Sequence, residues 1–301
     1  MGFPRRLLQF VRCTRDGGSL ALVDGFTAVR TDSVEEGDVL CAECGTRFGI
    51  RGGILDMLSV DALDRESSHE RRLRDETAAR LQPEGPAWWD NEHNRMEMLP
   101  TLEAVFARKP RFVLELGCGD GRYTGLLAAQ AELVCAVDFS LNSLRVLQGR
   151  IQDHANVGLI CADVTSFRVV PGAFAQVFST LVSNLPSHAH RNSLYRLAKS
   201  ALGPTGQFIF SAHHHGLREI AGRVAKSGAY REGHIYRYNL TVGECLREVK
   251  PHFGRVRVTP IQIYFPFARR VGLPLIPMSR LLERIPVMNR LASLLLCVAE
   301  G

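Results

Sequence analysis

From Phe112 onward, apolar residues come in short continuous runs, and between the runs they recur every three or four positions. "RFVLELG", "ELVCAVDFS", "VGLICADV", "AQVFSTLV" and "GQFIFSAHH" have the length and β-branched content of buried strands. "GRYTGLLAAQ", "LNSLRVLQGRI" and "AHRNSLYRLAKSAL" have the spacing of helices with one apolar face. Strands and helices alternating at this pitch predict an α/β fold built on a doubly wound, mostly parallel sheet. Two more apolar runs close the chain, "GRVRVTPIQIYF" and "LASLLLCVAEG", with an irregular insertion between them.

The texture before Phe112 is different. Residues 1–60 are rich in glycine, with β-like runs ("LALVDG", "FTAVRT", "DVLCAECGTRFGI") and turn signals at Asp16-Gly17, Asp24-Gly25 and Glu36-Gly37. They predict a small β-rich domain with Leu8, Phe10, Leu20, Val23, Leu40, Phe48 and Ile54 inside. Residues 61–109 predict a helical linker: one charged helix over "RESSHERRLRDETAARL", a break at Pro83 to Pro86, and a second helix after "WWDNEH" that runs through Leu102 and Phe106. Trp88, Trp89, His93 and Arg95 fit either a lid or ordinary packing of that helix. Residues 110–301 form the third and largest part.

Composition narrows the classes. The chain has 301 residues, 46% hydrophobic and 23% charged, enough for one ordinary α/β core and a smaller module. No apolar run reaches the roughly 18 residues that span a bilayer. The opening "MGFPRRLLQFVRC" is interrupted by Gln9 and Arg12 and fails as a secretory signal. Five of the eight cysteines, Cys118, Cys135, Cys161, Cys245 and Cys297, sit in apolar segments where a small buried thiol is expected, which favours a reducing, cytoplasmic setting. The formal charge of +6 permits an anionic partner without requiring one.

The chemistry concentrates at "FVLELGCGDGRYTGLL", where Gly117, Gly119 and Gly121 join the first strand to its helix at the ligand-binding edge of such a sheet. A dinucleotide loop would have a third glycine where Arg122 stands, and Glu115 would set negative charge near a diphosphate. The stretch resembles motif I of class I S-adenosylmethionine-dependent methyltransferases: an acid, any residue, then G-x-G-x-G. The resemblance implies a seven-stranded, Rossmann-like sheet with the last strand inserted antiparallel. It also implies a cofactor site made of Glu115, Gly117, Cys118, Gly119, Gly121, Asp138, Phe139, Asp163, Val164, Thr180 and Leu181. In it Glu115 attracts the methionine ammonium, Asp138 accepts the ribose hydroxyls, Phe139 covers the adenine, and Asp163 with the Val164 amide reads the adenine edge. Thr180 and Leu181 line the methyl side. Where the acceptor must lose a proton, His188, His190 and His213 are the candidate bases, placed after the fourth and fifth strands.

"DVLCAECGTRFGIRGGILDML" resembles the small zinc-binding domain that activates certain methyltransferases, in which two C-x-x-C pairs hold zinc. Here Cys41 and Cys44 form one pair, while the other reads Cys13-Thr14-Arg15-Asp16, so the implied ligand set is Cys13, Asp16, Cys41 and Cys44. The resemblance implies a methyltransferase acting on a small-molecule or lipid acceptor, since "SNLPSH" shares only Asn184 and Pro186 with the N-P-P-[YFW] loop of enzymes that methylate base amino groups. An RNA methyltransferase guided by the first domain, and a non-catalytic cofactor-binding or scaffold protein, are the alternatives. Residues 265–290 carry five arginines and one acid among apolar residues. A helix over 277–285 would set Met278, Leu281, Leu282 and Ile285 on one face, to pack on the sheet or to meet an anionic membrane surface.

Overall fold

The computed structural model describes residues 1–85, 87–185, 187–230, 235–265, 268 and 272–301. The amino-terminal strands are β1 (Phe3–Pro4), β2 (Val11–Arg12), β3 (Leu20–Leu22), β4 (Thr27–Arg30), β5 (Ser33–Cys41), β6 (Arg47–Arg51) and β7 (Ile54–Asp56). Helices α1 (Arg65–Ala78) and α2 (Glu92–Phe106) follow, and then the alternating part: β8 (Phe112–Leu116), α3 (Thr124–Ala128), β9 (Leu133–Asp138), α4 (Leu141–Arg150), β10 (Val157–Cys161), β11 (Arg168–Val169), β12 (Phe174–Ser179), α5 (His188–Ala201) and β13 (Leu202–His213). The chain closes with α6 (Leu217–Ala221), β14 (Ser227–Tyr230), β15 (Ile235–Tyr238), α7 (Val242–Val249), β16 (Arg255–Ile261), α8 (Leu275–Leu282) and β17 (Leu294–Glu300). It divides into two units, residues 1–85, 110–179 and 193–206 in the first and 86–109, 180–192 and 207–301 in the second.

In the first unit β10, β9, β8 and β12 lie side by side, all parallel, with Leu159 opposite Ala136, Cys135 opposite Leu114, and Leu114 opposite Val177. Their side chains are apolar without alternation because both faces are covered. The amino-terminal strands join this sheet: β7 pairs in parallel with β10, Ile54 opposite Leu159, and β6 and β5 extend it antiparallel. Gly52 and Gly53, both at left-handed φ, close the β6–β7 hairpin. Leu7 fills the space above Gly158, where a Cβ would come within 2.0 Å of its Cδ1. Phe10, expected fully inside, is half-buried and packs its ring against Phe112 and Phe174. Val23 and Leu40 are also half-buried. Gly37, read as a turn, instead lies inside β5, where it sits beneath Phe26. Asp64 caps α1 by accepting the Ser67 N–H, and Ser140 caps α4 in the same way through the Ser143 N–H.

In the second unit β17 runs antiparallel between β13 and β16, the placement that the resemblance implies for the last strand. Helix α7 opens on a capping box between Thr241 and Glu244, and β14 and β15 form a separate hairpin. Helix α8 begins two residues earlier than expected. Leu275 packs with Met96 of α2, Met278 lies against them, and the Ser279 hydroxyl accepts the Ile263 N–H. Of the four residues expected on one face, Met278 and Leu282 are half-buried while Leu281 and Ile285 are exposed, because α2 occupies one side of the helix. Phe267, Arg269, Arg270 and Val271 of the insertion, and Pro186 of "SNLPSH", lie outside the described residues.

Candidate functional site

Between β8 and α3 the chain turns back under three glycines with left-handed φ: Gly117 at 75°, Gly119 at 54° and Gly121 at 93°. The three serve different ends. A Cβ on Gly121 would fall 2.3 Å from Leu147 Cδ1, so this glycine lets α4 approach the loop. Gly117 and Gly119 have nothing within 4 Å of a Cβ, so they leave bare backbone facing open space. The Gly117 and Cys118 N–H groups donate to the Val137 carbonyl, which fastens the arc to β9.

Asp138, at the end of β9, holds the arc from below. Its carboxylate accepts the Gly119 N–H at 2.8 Å and the Ser140 N–H at 2.9 Å. Of about four lone-pair positions on a carboxylate, two remain for a ligand's hydroxyls. Burial pushes the Asp138 carboxyl above the usual range, against the pull of those two N–H groups and of Arg74. Glu115, two residues before the first glycine, is buried, and burial pushes its carboxyl up to about 8, with Asp138 adding to the push and Thr124 opposing it. Its Oε2 has no hydrogen-bond partner. A buried carboxyl with one unpartnered oxygen, next to a bare glycine arc, suits a ligand that brings a cation and hydroxyls.

Other expected residues of this unit take more ordinary positions. Phe139 is half-buried next to Asp138. Asp163, two residues past β10, accepts the Thr165 N–H and the Thr165 hydroxyl, and its carbonyl accepts from the Ser166 and Phe167 amides, leaving the half-buried Val164 at the bend. Asp75 had no signal in the sequence. From α1 it accepts the Ser140 hydroxyl at 2.7 Å and the Asn142 N–H at 3.2 Å, and Arg71 pairs with its other oxygen at 3.0 Å. It ties α1 to the corner that follows Asp138, across 65 residues of sequence, a separation at which no local pattern could announce it.

Thr180, Leu181, His188, His190 and His213 belong to the second unit. Leu181 has φ of 54°, rare for a branched side chain, and its N–H donates to Ser211 Oγ, which in turn donates to the buried Glu97. His188 is exposed, with Nδ1 3.1 Å from Glu248, and His190 Nδ1 lies 2.6 Å from Ser187 Oγ. Burial, with Arg237 adding, pushes His213 far down, so its imidazole is neutral. A cavity of about 370 Å³ opens beside His188, lined by Arg191, Tyr236, Tyr238 and Glu248 among others. Arg191 is almost fully buried there, held by Glu248 through two hydrogen bonds of 2.9 and 2.7 Å and stacked under Tyr238.

In the amino-terminal strands, Cys13, Asp16, Cys41 and Cys44 come together, their ligand atoms all within 4.8 Å of one another. Two loops build the cluster in the same way: the Gly17 N–H bonds back to the Cys13 carbonyl and the Gly45 N–H to the Cys41 carbonyl, both glycines at left-handed φ. Cys13 Sγ lies 3.7 Å from Cys44 Sγ, and Cys41 Sγ 3.4 Å from Asp16 Oδ1. Tetrahedral zinc, with bonds of about 2.3 Å to sulfur and 2.0 Å to oxygen, needs edges of that length. Burial pushes the Cys41 thiol up to about 12, while the Gly18 N–H, followed by the Cys13 thiol, holds Asp16 down at about 2.

With this geometry in hand, likeness to known proteins is informative. Residues 113–206 match the family described as "Methyltransferase domain". Phosphoethanolamine N-methyltransferase 1 of Zea mays is 38% identical over 116 residues, covering 35% of this chain and 22% of that protein. The tRNA (guanine-N(7)-)-methyltransferase of Thermus thermophilus is 30% identical over 146 residues, covering 44% and 47%. The chain thus spans less than half the length of these relatives. Among solved structures, the N-methyltransferase NodS from Bradyrhizobium japonicum, in complex with S-adenosyl-L-homocysteine, superposes with a TM-score of 0.52 at 14% identity, over 76% of this chain and 98% of that one, which is a likeness of fold. The glycine arc and the strand-end acid Asp138 both lie within residues 113–206, the stretch that matches the methyltransferase-domain family.

Proposed function

We propose that the protein is a methyltransferase that takes S-adenosylmethionine at the Gly117–Gly121 arc and passes its methyl group to a small-molecule or lipid acceptor. The observation that carries this reading is the bare backbone at Gly117 and Gly119, hung on Asp138 with the orphaned Glu115 Oε2 beside it. Gly117, Cys118, Gly119 and Gly121 form the cradle, Asp138 offers its remaining lone pairs to the ribose hydroxyls, and Glu115 gives up its proton to face the methionine ammonium. Phe139, Asp163 and Val164 take the adenine end. The cofactor supplies a methyl carbon activated by a cationic sulfur. The chain's contribution is positioning of the cofactor for in-line transfer.

The Zea mays relative acts on phosphoethanolamine, as its name states, which supports a small acceptor. In the same reading residues 1–60 hold zinc through Cys13, Asp16, Cys41 and Cys44 as a stabilising clip. The protein with methyl-labelled cofactor and fractionated cell extract should transfer label to a small-molecule or lipid fraction. Label found only in RNA, or in no fraction, overturns the reading.

A further inference from the structure

Seven of the twelve large apolar side chains exposed in the described residues fall on two short stretches of the second unit: Leu217, Ile220 and Val224 on one, and Leu273, Leu281, Ile285 and Val287 on the other. The concentration is not a sequence accident of the insertion alone, since the first stretch lies some fifty residues before the second. The two are fastened together. A Cβ on Gly216, at the start of α6, would fall 2.5 Å from the Arg290 carbonyl. Arg218 of α6 donates to Ser293 Oγ at 2.9 Å and to the Tyr264 hydroxyl at 2.8 Å, so α6 is pinned to the strip that carries Ile285 and Val287. On α6 the apolar residues keep helical spacing, Leu217 and Ile220 on the outer side with Val224 just past its end.

Charge on these stretches is arranged with equal bias. Arg223, Arg284 and Arg290 are exposed and form no ion pair among the described residues. The acids are turned away: Glu219 is buried in the cap of α6, and Glu283 is bonded to Ser279, Arg280 and the Gln262 N–H. We propose that α6 and the strip from Leu273 to Arg290 form one docking surface for an anionic lipid bilayer. Aliphatic side chains at the centre enter the headgroup boundary, and the three free arginines meet lipid phosphates. A second copy of the chain fits this surface poorly, because pairing the patch with itself brings arginine onto arginine.

This surface is independent of methyl transfer, and its test uses no cofactor. The full chain is floated with vesicles of phosphatidylcholine, with and without phosphatidylglycerol. Binding should require the anionic lipid and weaken as salt is raised. Ile220→Asp, which lies outside the insertion, should weaken it at least tenfold, and so should the triple change Arg223→Gln, Arg284→Gln and Arg290→Gln. All four positions are exposed, so thermal melts should match wild type. No binding to anionic vesicles at low salt, or binding that ignores Ile220→Asp, overturns the proposal. So does self-association in light scattering that Ile220→Asp abolishes, which would assign the patch to a second copy.

Discussion

Glu115→Gln should make the ligand-free protein more stable at neutral pH while weakening its hold on the cofactor. The wild-type carboxyl is buried, and burial raises it from the ordinary 4.5 to about 8. Between those two values the folded protein keeps a proton that the unfolded chain has released, so stability is lost as the pH rises through that window. At 1.36 kcal/mol per pH unit the loss at neutral pH is about 3 kcal/mol, a large share of the usual 5–15 kcal/mol. Glutamine has the same shape and nothing to ionise, so the variant escapes this loss, less the smaller cost of an amide group next to Thr124. Urea denaturation of both proteins at several values between about pH 5 and pH 8 reads the effect directly. The difference in unfolding free energy should open with pH in favour of the variant. Equal slopes for the two proteins would mean that Glu115 is not a buried acid, and the argument for its role would fall with it.

The glycines of the arc should separate fold from function. Gly121→Ala meets Leu147 and should cost about 2–4 kcal/mol, whereas Gly119→Ala meets nothing and should cost only about 1 kcal/mol yet still weaken cofactor binding; thermal melts with and without cofactor distinguish them. Elemental analysis should find about one zinc per chain; because the metal displaces thiol protons, its affinity should rise with pH, and a metal-free protein with unchanged melting after Cys44→Ser would remove zinc from the account. Arg191→Met removes the two charged hydrogen bonds that Arg191 gives to the half-buried Glu248, leaving it His188, and should cost about 2–3 kcal/mol in chemical denaturation. Although burial works against it, Arg191 holds the Glu248 carboxyl below its usual range, so the pair's contribution should fade as acid is added.

Much of the central sheet was legible because each strand is a continuous apolar run and each helix has one apolar face. The order of β13, β17 and β16 came from the family resemblance, because apolar runs show that strands exist and not how they are ordered. The glycine arc was legible as a motif, but the division of labour within it was not: Gly121 is required by Leu147, a contact 26 positions away. Partners distant in sequence leave no local periodicity, and so Asp75 against Ser140, and Arg191 against Glu248, went unseen. The apolar face of α8 is divided between buried and exposed for a related reason, since the pattern along one helix does not say which side α2 will cover. The hairpin of β14 and β15 carries weak alternation and was not anticipated.

The central claim is that the arc at Gly117–Gly121 binds S-adenosylmethionine through Asp138 and Glu115. Titration calorimetry of the purified chain with S-adenosylmethionine, run near neutral pH in two buffers of different ionisation enthalpy, tests it most directly. The account predicts one site, release of a proton as Glu115 ionises against the arriving cation, and loss of binding in both Asp138→Ala and Gly119→Arg while those variants remain folded. Absence of binding to the wild-type chain, or affinity unchanged in both variants, would contradict it.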